Sequence, residues 1–316
     1  MLFMVAALFC AFSITINADV LPLSVKGNQI LIGGAPGRLS GMSLFWSNNG
    51  WGGEHFYNKK VVEWLKKDWK ATVVRAAMGI EEYGGYLQDP QSNKARLTNV
   101  VDAAIEFDMY VIIDWHSHHA HQTPAIEFFQ EMARTYGGKN NIIYELWNEP
   151  KDDVSWKNNV KPYAQALIAA IRAIDKTNLI IVGSPSWSQD VDQAACDPIT
   201  DYENIAYTLH FYAGSIGHGQ CLRDKAIEAL NKNVSLFVSE WGSVSVDGGH
   251  VNLTEAHAWV EFMKANNISN ANWSLSAKPE NASALIPGAS ADGGWCESDL
   301  TESGKFVREI VMNWSK

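Results

Sequence analysis

Residues 140–151 read NNIIYELWNEPK. Ile142, Ile143, Tyr144, Leu146 and Trp147 make a short apolar run of the kind found in strands buried on both faces. The run ends abruptly in Asn148-Glu149-Pro150. A carboxylate at the tip of a core strand is costly unless partnered. Pro150 lacks an N–H, so it ends the ladder and turns the chain outward. Such a segment suits a barrel whose strands deliver chemistry at one end.

Working outward, the same construction repeats. Apolar runs at 40–47, 72–79, 110–116, 141–149, 179–185, 205–212, 235–242 and 270–278 predict strands. Amphipathic stretches at 59–68, 98–107, 124–136, 160–175, 222–232, 253–266 and 303–313 predict helices between and after them, and 186–203 is only weakly helical. Eight strand–helix units predict an α/β fold, a (β/α)8 TIM barrel. A short N-terminal β-hairpin, LSVKGNQILIG around Gly27-Asn28, would close its bottom. A doubly wound open sheet is the alternative, but no glycine-rich phosphate loop follows the first strand.

The chain has 316 residues, 47% of them apolar, and a net charge of −10. That charge argues against a nucleic-acid partner, whose phosphates nothing would neutralise. The first charge is Asp19, and the apolar run before it fits a secretory signal over 1–18 better than a membrane span. Residues 19–316 then read as a single catalytic domain with no linker, a secreted monomer with no later membrane-spanning run. Three cysteines would remain, Cys196, Cys221 and Cys296. The reading leans to a Cys196–Cys221 bridge, with three buried thiols as the alternative. Asn233, Asn252 and Asn281 begin glycosylation sequons that suit a secreted chain.

In such barrels functional groups sit at the C-terminal strand ends. Here those ends carry Trp46, Arg75, Asp114-Trp115-His116, Asn148-Glu149, Trp187, His210-Phe211-Tyr212, Glu240-Trp241, and Trp273 with Lys278 and Glu280 beyond it. Two carboxylates, Glu149 and Glu240, in one mouth are what glycosidic hydrolysis requires: one to protonate the leaving oxygen, the other to attack the sugar or activate water. Different neighbours must drive their proton affinities apart, and Arg75 would hold one ionised. Arg75 could instead bridge Glu145, read here as structural. His210, Tyr212 and Trp273 could be packed core. The run HSHHAH at 116–121 is a rival cluster, since His116, His118, His119 and His121 could bind a metal. A metal-dependent barrel hydrolase would want its His-x-His on the first strand, however. The expectation is no metal and no cofactor, with His118, His119 and His121 exposed.

The elements VVRAAMG, VIIDWH, IIYELWNEP, YTLHFYA, FVSEWG and ANWSLSAK, in this order, resemble glycoside hydrolase family 5, in the bacterial-type cellulase branch also seen in plant-feeding invertebrates. The resemblance runs from Leu21 to Val311. It implies a retaining endo-β-1,4-glucanase acting on β-glucan polysaccharide. Glu149 matches the acid/base and Glu240 the nucleophile. Asn148 matches the group bonding the sugar 2-hydroxyl. Arg75 and Tyr212 match groups holding the nucleophile, and His116 and His210 match histidines of the central subsite. Trp273 matches an aromatic platform, while Trp46, Trp187, Lys278 and Glu280 match outer-subsite contacts. The loop after His116 is shorter and richer in histidine than in the bacterial relatives. A β-mannanase or mixed-linkage β-glucanase would share this core. A non-catalytic polysaccharide-binding barrel would share the cleft but lack one of the two glutamates.

Overall fold

The computed structural model describes residues 20–314, so the proposed leader lies outside them. The described chain opens with β1 (Leu23–Lys26) and β2 (Gln29–Ile32), paired antiparallel with Leu23 opposite Ile32. Their turn uses Gly27 at φ 60°, a left-handed conformation that glycine adopts without steric cost. A two-residue strand, β3 (Ala35–Pro36), adds to β2.

Eight further strands close a parallel barrel: β4 (Ser40–Leu44), β5 (Val73–Gly79), β6 (Tyr110–His116), β7 (Ile142–Glu145), β8 (Leu179–Val182), β9 (Ile205–Tyr212), β10 (Leu236–Gly242) and β11 (Ser269–Leu275). Helices follow each of them. These are α1 (Lys59–Lys67), α2 (Pro90–Glu106), α3 (Gln122–Tyr136), α4 (Lys161–Arg172), the single turn α5 (Pro185–Ser188), α6 (Val191–Cys196), α7 (Gln220–Asn231), α8 (Leu253–Ala265) and α9 (Glu302–Met312). This is the expected (β/α)8 barrel.

The strand period of two sorts the side chains. On β6, Val111, Ile113 and Trp115 pack outward among the helices, whereas Tyr110 and Ile112 join an inner cluster at the barrel's lower end. Val73, Ile143, Leu179, Ile181, Ala206 and Phe237 complete that cluster, and Leu23, Ile30 and Leu39 seal it from below. The hairpin therefore plugs the bottom, as expected. Continuing upward on the inner parity, Ile112 gives way to Asp114 and His116, and Ile143 to Glu145.

On β10 the register with both neighbours shifts between Phe237 and Trp241. A bulge presents two consecutive residues on one side. Ser239 and Glu240 both face the barrel axis, and Trp241 is returned to the outer layer.

Two sequence expectations are corrected, and a third stretch gains detail. The regular part of β7 ends at Glu145, not at residue 149. Asn148 and Glu149 lie beyond it, their N–H groups donating to Trp115 O and Ser117 O at 3.2 Å each. At 186–203 the backbone of Ser186, Trp187 and Ser188 has φ of 57°, 56° and 58°. Each such non-glycine residue costs roughly 1–2 kcal/mol, and the short α6 follows, in keeping with the weak helical pattern read there. Finally, Cys196, Cys221 and Cys296 are free and exposed, neither bridged nor buried. Cys221 Sγ contacts Gly217 O at 3.0 Å and Cys196 Sγ lies 2.9 Å from Lys232 Nζ, so each thiol has a partner other than a cysteine.

Candidate active site

Arg75, fully buried on β5, organises the upper end. Its Nε donates to Glu145 Oε2 at 2.7 Å, Nη1 to Glu240 Oε2 at 2.8 Å, and Nη2 to Asn148 Oδ1 at 2.6 Å. Asp114 Oδ2 lies 2.9 Å from Nη2. The alternatives left open for Arg75 are both realised: it bridges Glu145 and holds Glu240. Burial works against the charge of Glu145, but Arg75 and His210 outweigh it and hold the carboxyl down at about 2. Burial pushes Asp114 up, against the attraction of Arg75.

Glu240 receives a second bond, from the Tyr212 hydroxyl to Oε1 at 2.6 Å. Gly242 makes this possible, since a Cβ there would stand 2.5 Å from the Tyr212 ring. Burial first, and the charge of Glu240 second, push the phenol well above its usual value, so it stays a donor.

Glu149 has different company. Its Oε1 lies 2.9 Å from His210 Nδ1 and its Oε2 3.3 Å from His118 Nε2. The tautomer of His210 follows from its far side. Ser239 Oγ donates to Glu145 Oε1 at 2.6 Å, so its oxygen accepts from His210 Nε2 at 3.0 Å. With Nε2 protonated, Nδ1 meets Glu149 either as a donor from the imidazolium or as an acceptor from the carboxylic acid. One proton thus serves the Glu149–His210 contact in either form. Burial lowers His210, but Glu240, Glu145 and Glu149 outweigh it and raise it to about 9. Burial raises Glu149, and the two imidazoles overcome that and hold it well below the usual carboxylate range.

An oxygen of Glu149, an oxygen of Glu240 and a ring nitrogen of His210 lie within 4.8 Å of one another. By distance alone this trio could embrace a cation. Its donors are already engaged, Glu240 by Arg75 and Tyr212 and Glu149 by two imidazoles, so the set does not suit one.

Two adjoining cavities of about 490 and 250 Å³ share His118, Glu149, Tyr212 and Val246. The larger is walled by Trp187 and His210, with Gln189 and His218. The smaller is walled by Trp46, His116, Glu240, Trp273, Lys278 and Glu280. Trp187 is presented there by its left-handed turn, whose Trp187 N–H donates to Pro150 O at 2.8 Å and whose Ser188 Oγ donates to Asn148 O at 2.7 Å. His116 stacks on Trp273 with ring centres 5.2 Å apart, and its Nδ1 lies 2.7 Å from Asp114. Burial and then Arg75 lower His116 to about 3, so it is neutral. Lys278 sits over the Phe45 ring at 4.0 Å and pairs with Glu280 at 3.2 Å.

The fold thus brings all twelve singled-out residues to one end, with Arg75 and Asn148 forming the floor. His118 and His121 are not exposed as expected: their side chains are 30% and 28% accessible, and His119 is 59%. All three surround Glu81. Sequence reasoning missed Ser239 and Glu81. Ser239 shares the inward parity of Phe237 but no motif marks a serine there, and Glu81 lies in a loop.

The cellulase (glycosyl hydrolase family 5) pattern matches residues 29–279. Endoglucanase Z of Dickeya dadantii is 60% identical over 300 residues, which cover 94% of this chain and 68% of that protein. A solved structure from Cytophaga hutchinsonii superposes with a TM-score of 0.89 at 50% identity, covering 92% of this chain and 94% of that one. The catalytic domain of a Thermobifida fusca endoglucanase gives 0.86 at 31% identity, covering 92% and 97%. With this match over most of its length, the chain belongs to the cellulases of glycosyl hydrolase family 5.

Proposed function

We propose that the chain is a retaining endo-β-1,4-glucanase, with Glu240 as nucleophile and Glu149 as acid/base. The observation that carries this reading is the approach of the two carboxylates to within 4.8 Å, each with a different set of partners. An inverting enzyme needs room for a water and a separation of roughly 6.5–9.5 Å; a retaining one needs only about 5–5.5 Å.

In the first step a Glu240 oxygen bonds to the anomeric carbon as the glycosidic C–O bond breaks. Glu149 gives its proton to the departing oxygen. In the second, water attacks the same carbon, Glu149 takes the water's proton and the bond to Glu240 breaks. Two inversions give net retention. Arg75 and Tyr212 aim the Glu240 oxygens and stabilise the carboxylate that leaves in the second step. Asn148, held by Arg75, and neutral His116 face sugar hydroxyls. Trp273, Trp46 and Trp187 offer flat apolar surfaces on either side of Glu149, and Lys278 with Glu280 offers polar contacts farther out. Binding along several sugars then orients the scissile bond.

The names of the Dickeya dadantii and Thermobifida fusca relatives, both endoglucanases, favour cellulose over mannan or a mixed-linkage glucan. Both glutamates are present, which disfavours a binding-only barrel. The chain is read as one catalytic domain, secreted as a monomer after loss of 1–18; amino-terminal sequencing and light scattering of the secreted product test those points. Reducing-sugar release from soluble cellulose, mannan and xylan tests the activity. Wild type should act chiefly on cellulose, while Glu149→Gln and Glu240→Gln should each lose at least about 10²–10⁴-fold. Full activity in either variant would overturn the assignment.

A further inference from the structure

The mechanism leaves the histidine run after β6 without a part. Its geometry is specific. Glu81, in the loop after β5, accepts the backbone N–H of His118 at Oε1 (2.5 Å). Its Oε2 meets His121 Nε2 at 2.8 Å and His119 Nδ1 at 3.1 Å. Its own backbone is tied down by Asn48 Nδ2, which donates to Glu81 O at 3.1 Å. One carboxylate therefore anchors the whole loop. The anchored His118 ring leans on Trp46, centres 5.6 Å apart. Its Nε2 stands 3.3 Å from Glu149 Oε2 and its Nδ1 3.6 Å from Glu81 Oε1. Both ring nitrogens face carboxylates, an arrangement that only an imidazolium can satisfy as a donor on both sides.

We propose that His118, posted by Glu81, is a positioning residue that holds Glu149 from the open side of the cleft and shares its acid proton. The proposal rests on the acid/base reading of Glu149. In the resting pair the proton sits on His118 Nε2. It crosses to Glu149 Oε2, leaving His118 neutral, and from Glu149 it passes to the departing sugar oxygen. Proton count and charge balance at each transfer, and no further reactant is needed. Burial opposes the charge on His118, but Glu149 and then Glu81 raise its proton affinity, in the direction that sharing requires. The charged groups facing the pair are His210 from β9, Glu240 from β10, Glu81, and His218 from the loop after β9. Arg75 and Asp114 lie beneath.

A proton-sharing pair titrates as a unit, so its last proton leaves at a value belonging to the pair. The alkaline limb of kcat/KM should therefore follow His118. His118→Asn removes the shared site and leaves the limb to Glu149 with its remaining partner, His210. The experiment is the pH profile of kcat/KM for wild type, His118→Asn and Glu81→Gln in the full chain, on a soluble cello-oligosaccharide. The expected result is a limb displaced to lower pH in His118→Asn, by about one pH unit or more given the spread of carboxylate and imidazole affinities. Glu81→Gln should shift it the same way by less. A limb that stays in place, with activity merely scaled down, or one that moves to higher pH, overturns the proposal. Proton NMR of the His118 ring in otherwise wild-type enzyme gives a reading independent of that variant's folding. Its titration should fall in Glu149→Gln, and an unchanged titration overturns the proposal as well.

Failure of the underlying reading shows elsewhere. An aryl cellobioside whose phenol departs without protonation should restore first-step activity to Glu149→Gln. If it does not, the acid/base assignment itself falls; if it does while the limb stays fixed, only the role of His118 falls.

Discussion

The two ends of this barrel are built on the same strands and differ in almost every physical respect. At the lower end the inner parity of β5 to β10 carries Val73, Tyr110, Ile112, Ile143, Leu179, Ile181, Ala206 and Phe237, sealed by Leu23 and Ile30. A few residues up the same strands stand Arg75, Asp114, Glu145, His210 and Glu240, all buried and bonded to one another. The lower end gains stability from apolar burial, which needs no exact partner. The upper end is a charge network in which each group is tolerable only because the others are present. Specific geometry resides where removal of one member strands the rest.

That contrast can be broken in graded ways. The largest effect belongs to the carboxylates: Glu240→Ala should lower kcat by on the order of 10⁴-fold or more, and since Arg75 keeps Glu145 and Asp114 as counter-charges its loss of stability should be smaller than that of Arg75→Met, checked by steady-state kinetics beside calorimetry. Arg75→Met should be lost on both counts. It strands Glu145, Glu240 and Asp114 without their counter-charge, and unfolding in denaturant should show a loss of about 3–5 kcal/mol. At the other end, Ile112→Ala should cost about 2–5 kcal/mol in the same assay, yet the folded enzyme should keep its kcat. A large kcat loss there would show that the lower cluster sets the geometry of the upper one.

A subtler difference should appear against pH. The folded state raises His210 to about 9 from 6.5, so the stability it contributes is complete below 6.5 and lost as pH climbs through about 9. Glu145 is lowered to about 2 from 4.5, so its contribution is complete above 4.5 and lost as pH falls through about 2. His116, lowered from 6.5 to about 3, loses stability as pH falls below 6.5, so melting temperature should peak near 6.5 and fall on both flanks. His210→Asn should flatten the alkaline flank, whereas Ile112→Ala should lower the curve evenly. The smallest effect is expected at the rim. Trp187 is 37% exposed, and if it serves as a stacking surface, Trp187→Ala should raise KM severalfold, about 1 kcal/mol, with little change in kcat.

Much of this was legible from residue order. Eight repeats and the polar strand tips were enough for the barrel and for the twelve residues brought to its upper end, though strand parity alone was not. Trp115, Trp147 and Trp241 alternate with functional neighbours because they point the other way, into the layer between barrel and helices. On β10 simple alternation from Phe237 would have sent Glu240 outward; the bulge that reverses it leaves no mark in the composition of LFVSEWG. The pairing of Glu81 with His118, His119 and His121 was invisible, because it joins two loops about 40 positions apart with no periodicity to relate them. The left-handed turn at Ser186–Ser188 was hidden for a similar reason, being held by bonds to Asn148, Pro150 and Lys151 on another loop.

The central claim is that two neighbouring carboxylates divide the work of double displacement, one binding the sugar covalently and the other moving protons. Its most direct test is mass spectrometry of the enzyme after reaction with a 2-fluoro cellobioside bearing an activated leaving group, which lets the first step outrun the second. The account predicts one added 2-deoxy-2-fluorocellobiosyl unit, located by peptide mapping on Glu240. An adduct on another residue, or turnover with inverted anomeric configuration and no adduct, would contradict it.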